Sequence, residues 1–249
     1  MKKIIVFDLD GTLAASKSAV TDEMSVLLAE LLKKYQVCVI SGGKFEQFDK
    51  QFLGQFRVDP ECLDRLHIMP TCGTRYHTFN TTTSQWDINY AEDFSAEEKN
   101  SIIAALDGSI DELGLREMHP WGALIEDRGS QITFSALGQE APVDAKEAWD
   151  PDHQKKRNLR DCVAAKIPEF EVRTGGSTSI DVTKLGIDKA YGMQKLMELT
   201  GVAREEILFI GDRLEEGGND YPVHAIGIDT IAVMRWQDTA LIIEALNKS

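Results

Sequence analysis

Four-residue apolar runs that stop at a polar residue constrain this chain more than any other feature of it. Ile4-Ile5-Val6-Phe7 runs into Asp8, Val37-Cys38-Val39-Ile40 into Ser41, and Ile207-Leu208-Phe209-Ile210 into Gly211-Asp212. A run with no polar alternation fits a strand buried on both faces, as in a parallel sheet. In open parallel sheets the ligand crevice lies outside the carboxyl ends of the strands. Two carboxylates, a hydroxyl and several glycine amides would then meet at one edge. That set suits a phosphoryl group beside Mg2+, so the pattern points to an enzyme.

Asp8-Leu9-Asp10-Gly11-Thr12 carries most of the chemistry. Phosphoryl transfer to a carboxylate needs a nucleophile at a fixed point, which a strand end supplies, and a cation to offset crowded negative charge. Gly11 lets the chain turn sharply, so Asp10 can reach the crevice that Asp8 enters. Asp10 could then protonate a leaving oxygen and later deprotonate an acceptor. The competing reading is a calcium loop of the EF-hand kind, which needs a glutamate at its twelfth position and flanking helices. Counting from Asp8, the twelfth residue is Ala19, and a strand comes before the motif.

Composition narrows the partners. The net charge of −14 argues against nucleic acid, because binding a phosphate backbone needs a basic surface. A locally basic pocket for a small phosphorylated ligand stays compatible with it. The apolar stretch after Met1-Lys2-Lys3 spans only Ile4 to Phe7, too short for a signal peptide, and no segment reaches membrane-spanning length. Cys38, Cys62, Cys72 and Cys162 are scattered without a CxxC pair, which reads as free thiols in a reducing cytoplasm and offers no zinc pattern.

The first part of the chain alternates strand and helix, with Thr21-Asp22-Glu23 opening a helix whose apolar face includes Leu27, Leu28, Leu31 and Leu32. The texture changes near Gln85. Ser95-Ala96-Glu97-Glu98 spells a capping box for a helix that runs to about Leu113. Short strands follow at Ala123–Asp127 and Gln131–Ser135, then a helix from Asp152 to Lys166 and strands at Phe170–Arg173 and Thr178–Val182. Parallel-sheet texture resumes around Lys189. The expected organisation is an α/β parallel-sheet, Rossmann-like core, residues 1–84 and 186–249, interrupted by an inserted α+β cap domain, residues 85–185.

The Asp8-to-Thr12 motif resembles the first motif of the haloacid dehalogenase superfamily, DxDGT. The resemblance implies that Asp8 is a nucleophile forming an aspartyl-phosphate and Asp10 the general acid and base. It makes Ser41, with the Gly42 and Gly43 amides and Thr12, the donors to the phosphoryl oxygens. Ser-Gly-Gly alone is a common turn, and position gives it this reading. Lys189 falls where the superfamily's third-motif lysine falls, and would offset charge beside the phosphate. Gly211-Asp212, followed by Gly217-Gly218-Asn219-Asp220, resembles the fourth motif. Mg2+ is then expected on Asp8, Asp10 and Asp212, with Asp220 binding it directly, binding it through water, or orienting Lys189.

The segment Gly217-Gly218-Asn219-Asp220, with Ile125-Glu126-Asp127-Arg128 and Gly175-Gly176-Ser177-Thr178-Ser179-Ile180-Asp181, narrows the resemblance to the eukaryotic-type phosphomannomutase branch with its large cap. It implies that Arg128, Ser179 and Asp181 hold a distal phosphate and sugar hydroxyls, and that the cap mediates a homodimer. Two further cap arginines of that family fall at Gln139 and Lys146, the latter still a candidate substrate contact, and one on the loop after the first motif falls near Lys17. Losing one guanidinium and turning two into lysine weakens the distal grip. A mutase needs that grip to hold a bisphosphorylated intermediate, whereas a phosphatase needs only the grip at the nucleophile. The expectation is therefore a Mg2+-dependent sugar phosphatase of the cytoplasm, with no nucleic-acid or membrane partner. A phosphohexomutase is the alternative, and a non-catalytic sugar-phosphate binder a third reading.

Overall fold

Strand β1 (Ile4–Asp8) has every residue buried, and its successive side chains feed opposite sides of a sheet. Ile5 and Phe7 join one apolar cluster with Leu28, Leu31 and Ile243, while Ile4 and Val6 join another with Met193, Leu196 and Phe209. Two-sided burial is why the run carries no polar alternation. The computed structural model describes residues 1–15 and 18–248, so Lys17 lies outside the described residues.

The remaining strands are β2 (Gln36–Ile40), β3 (Leu66–Met69), β4 (Arg75–Asn80), β5 (Gln85–Ala91), β6 (Ile125–Asp127), β7 (Gln131–Ser135), β8 (Phe170–Thr174), β9 (Ser179–Lys184), β10 (Ile207–Gly211) and β11 (Asp229–Ala232). The helices are α1 (Asp22–Leu32), α2 (Phe45–Gln51), α3 (Ala96–Glu112), α4 (Val143–Trp149), α5 (Gln154–Lys166), α6 (Lys189–Thr200), α7 (Tyr221–Ala225) and α8 (Trp236–Lys248). By contacts the chain divides into two compact units, Met1–Ala91 with Asp188–Ser249, and Glu92–Ile187.

The first unit is built on a seven-stranded sheet in the order β11-β10-β1-β2-β3-β4-β5. β1 runs parallel to both β10 and β2, and β4 and β5 extend the far edge antiparallel. From β1 the chain moves to β2 on one side and later arrives at β10 on the other. The carboxyl end of β1 is therefore a topological switch point, where such sheets open a crevice. β5 pairs along its length with β4, so this unit runs on to Ala91, past the texture change near Gln85.

The second unit carries a four-stranded antiparallel sheet, β6-β7-β9-β8. Ile132, Phe134, Ile180 and Val182 alternate onto one face and pack with Ile102, Leu106, Ile110, Leu159 and Val163 of α3 and α5. The intervening Thr133, Ser135, Ser179 and Asp181 lie on the other face, Thr133 opposite Asp181 and Ser135 opposite Ser179. α3 starts with the expected capping box, Ser95 and Glu98 each accepting the other's backbone N–H. α4 is an addition to the sequence expectation, and α5 begins two residues later than the periodicity suggests. Asp150 causes the late start, because its carboxylate accepts the Lys155 and Lys156 amides and ties down the first turn. Among the described residues no helix is long and apolar enough to cross a membrane.

One buried polar group makes the first unit's stability depend on pH. His67 on β3 lies between the Tyr76 hydroxyl, 2.7 Å from Nδ1, and Gln36 Oε1, 2.8 Å from Nε2. Gln36 Oε1 can only accept, so Nε2 carries the proton and Nδ1 accepts from tyrosine, which is the neutral ring. Burial lowers His67 to about 4. The unfolded chain takes up this proton as pH falls through the ordinary histidine value while the folded chain refuses it. The neutral ring's contribution is thus complete above about pH 6.5 and is lost on acidification toward pH 4. Replacing His67 with Phe should remove on the order of 2–3 kcal/mol of acid sensitivity over that window, read from denaturant midpoints at several pH values. An unchanged slope would show that the ring does not carry it.

Candidate active site

Three strand ends and one helix start converge at the switch point. Asp8 ends β1, Ser41 follows β2, Asp212 follows β10, and Lys189 opens α6. Asp188 caps that helix, its carboxylate accepting the Tyr191 amide at 3.0 Å, which fixes Lys189 in the first turn. Lys189 is 1% exposed and donates to Asp8 Oδ1 and, at 2.5 Å, to Asp220 Oδ1. The second Asp220 oxygen accepts the Arg213 amide at 3.0 Å. Both oxygens of Asp220 therefore have partners, and one of them is the ammonium of Lys189.

Asp8, Asp212 and Asp220 each offer an oxygen within 4.8 Å of the others. Three acids facing one lysine leave excess negative charge in a largely buried place. Burial pushes the Asp8 carboxyl up to about 7, with Lys189 opposing the shift and Asp220 and Asp212 adding to it. Burial and the Asp220 charge likewise raise Asp212. Burial alone would lower Lys189, but Asp8 and Asp220 together outweigh it and hold its ammonium above the ordinary lysine range. A hard divalent cation with oxygen ligands would relieve that charge, so the donor set fits Mg2+. Gly11 allows the close approach of the acids. Its φ is +86°, and a Cβ there would stand 2.3 Å from Asp212 Oδ2.

Thr12 is fully buried, and its hydroxyl has no hydrogen-bond partner among the described residues. A buried orphan hydroxyl beside the motif is suited to an incoming oxyanion. Ser41 Oγ accepts the Gly43 amide at 3.2 Å, closing the turn that contains Gly42. Asp10 is held differently from Asp8, by two side-chain amides of α2, those of Gln47 and Gln51. Sequence reasoning passed over both glutamines. Their spacing of four, directly after Ser41-Gly42-Gly43, is the signal that could have found them.

The remaining candidates lie in the second unit. Arg128 pairs with Glu126 at 2.8 Å and both are largely buried. Asp181 Oδ1 accepts from Thr133 Oγ1 at 2.7 Å and Gln131 Nε2 at 3.0 Å, so neighbours on β7 hold this carboxylate in place. Ser179 sits two residues earlier on the same face of β9. Lys146 donates to the Gln139 carbonyl at 3.0 Å, which brings together the two positions where the sequence departs from the cap-arginine pattern. The Gln139 amide nitrogen is buried and has no partner among the described residues.

A family model described as eukaryotic phosphomannomutase matches residues 24–248. A phosphomannomutase of Saccharomyces cerevisiae is 27% identical over 227 residues, covering 88% of this chain and 84% of the relative. One of Encephalitozoon cuniculi is 28% identical over 230 residues, covering 90% and 84%. Among solved structures, a haloacid dehalogenase-like hydrolase from Bacteroides thetaiotaomicron superposes with a TM-score of 0.67 at 17% identity, covering 100% of this chain and 99% of that one. An N-terminally truncated IMP-nucleotidase of Plasmodium falciparum gives 0.68 at 15% identity, covering 98% and 70%. At those identities the two structures speak for the fold alone.

Proposed function

The chain belongs to the eukaryotic phosphomannomutase family, and on that premise we propose that it moves a phosphoryl group between positions of a hexose phosphate by way of Asp8. The observation that carries the proposal is the Asp8–Lys189–Asp220 ion cluster, with Asp212 beside it, at the switch point of the sheet. Sequence alone put hydrolysis first. Phosphomannomutase relatives aligned over most of their length support the opposite order, with the mutase outcome ahead.

In this reading Asp8 attacks phosphorus with the oxygen that Lys189 does not hold. Lys189 stays on Oδ1 and, anchored by Asp220, offsets charge as the transferring oxygens approach. Ser41, the Gly42 and Gly43 amides and the orphan hydroxyl of Thr12 donate to those oxygens. Asp10 gives a proton to the departing sugar oxygen and takes one from the hydroxyl that attacks next. Asp8, Asp212 and the Asp10 carbonyl would hold Mg2+, with Asp220 binding it directly, binding it through water or orienting Lys189, and the ion would supply further charge neutralisation. Arg128, Lys146, Ser179 and Asp181 bind the sugar and its far phosphate.

Hydrolysis remains the second reading, favoured by the amide at Gln139 and the amine at Lys146. Incubation with a hexose 1-phosphate, catalytic hexose bisphosphate and Mg2+ separates the two. The isomeric 6-phosphate, formed without matching release of phosphate, is the expected product. Free phosphate as the sole product would replace the mutase with a phosphatase.

A further inference from the structure

The carboxylate of Asp10 is gripped by a closed pair of side-chain amides. Gln47 Nε2 donates to Asp10 Oδ2 at 2.9 Å and to Gln51 Oε1 at 2.7 Å. Gln51 Nε2 donates to Asp10 Oδ1 at 3.3 Å and to the Ser18 carbonyl at 3.2 Å. All four N–H groups of the two amides are thus engaged, and each Asp10 oxygen receives one. Turning either amide over would set its oxygen against the carboxylate, so the network has a single sense. Both residues project from one face of α2, at positions i and i+4.

A second observation ties Gln47 to the turn after β2. A Cβ at Gly43 would stand 2.0 Å from Gln47 Oε1, so glycine there leaves room for the amide. Gln47 therefore spans from the Ser41–Gly43 turn to Asp10.

We propose that Gln47, braced by Gln51, is the positioning residue that aims Asp10 at the sugar oxygen; the inference rests on the phosphotransfer reading of Asp8 and Asp10. In the step concerned Asp8 forms a bond to phosphorus while the bond from phosphorus to the sugar oxygen breaks. The electron pair stays on that oxygen, which takes the proton of Asp10. In the return step the ionised Asp10 removes a proton from the attacking hydroxyl.

Leaving groups test this. A sugar oxygen leaves poorly without a proton, whereas p-nitrophenolate leaves without one. In Gln47→Met, kcat/KM for a hexose 1-phosphate should fall about 100-fold, while kcat/KM for p-nitrophenyl phosphate changes less than about 3-fold. Gln47→Ala, too small to press on Gly43, should show the same selectivity and stands in if the methionine variant fails to fold. Equal losses on both esters, or no loss on either, would overturn the inference alone. If the unaltered chain turned over neither ester, the phosphotransfer reading would fall and this inference with it.

Discussion

Asp8→Asn should abolish phosphoryl transfer, with losses on the order of 10⁴-fold or more, while the fold stays as stable as before. The amide keeps the shape of the side chain and removes the nucleophile. It also removes one of three acids crowded about Lys189, a carboxyl that burial lifts to about 7, with the Asp220 and Asp212 charges adding to the shift. Activity and stability should therefore separate, which a damaged fold would not allow. Turnover assays beside thermal unfolding of the same preparation check this. Retained turnover in the variant would remove Asp8 from the chemistry.

Lys189→Met should act on both quantities at once. Lys189 is 1% exposed and bridges two carboxylates that are themselves 3% and 0% exposed, Asp8 and Asp220. Without the ammonium those charges face each other with little solvent. Breaking a buried pair from one side costs about 3–5 kcal/mol. For a chain of this size that corresponds to a fall in Tm of roughly 6–20 °C. Turnover should vanish as well, because the charge that Lys189 offsets grows as phosphate approaches. Adding Asp8→Asn to the variant should restore part of the lost stability without any activity, since it removes one of the stranded charges. A single variant as stable as the parent would mean that the cluster is not held by this lysine.

Much of the first unit was legible because its strands are buried on both faces. An apolar run ending at Asp8, Ser41 or Asp212 states both the element and the edge at which its polar residue emerges. Lys189 was placed by a motif position, and Asp188 as its cap adds the local reason for that place. The pair of Gln47 and Gln51 was not legible in the same way. Uncharged polar residues four apart on a seven-residue helix look like a solvated face, and only the fold turns that face toward Asp10. The change of texture at Gln85 was misleading for a related reason. β5 is an edge strand, largely exposed, so it lacks the apolar signature of the sheet it completes.

The central proposition is a covalent bond between phosphorus and the Asp8 carboxylate. It is tested most directly by quenching the chain in acid during turnover of a labelled hexose bisphosphate and mapping the modified peptide. The label should lie on the peptide carrying Asp8, be released by hydroxylamine as acyl phosphates are, and be absent from Asp8→Asn. Label on any other residue, or turnover with no labelled peptide at all, would contradict the account.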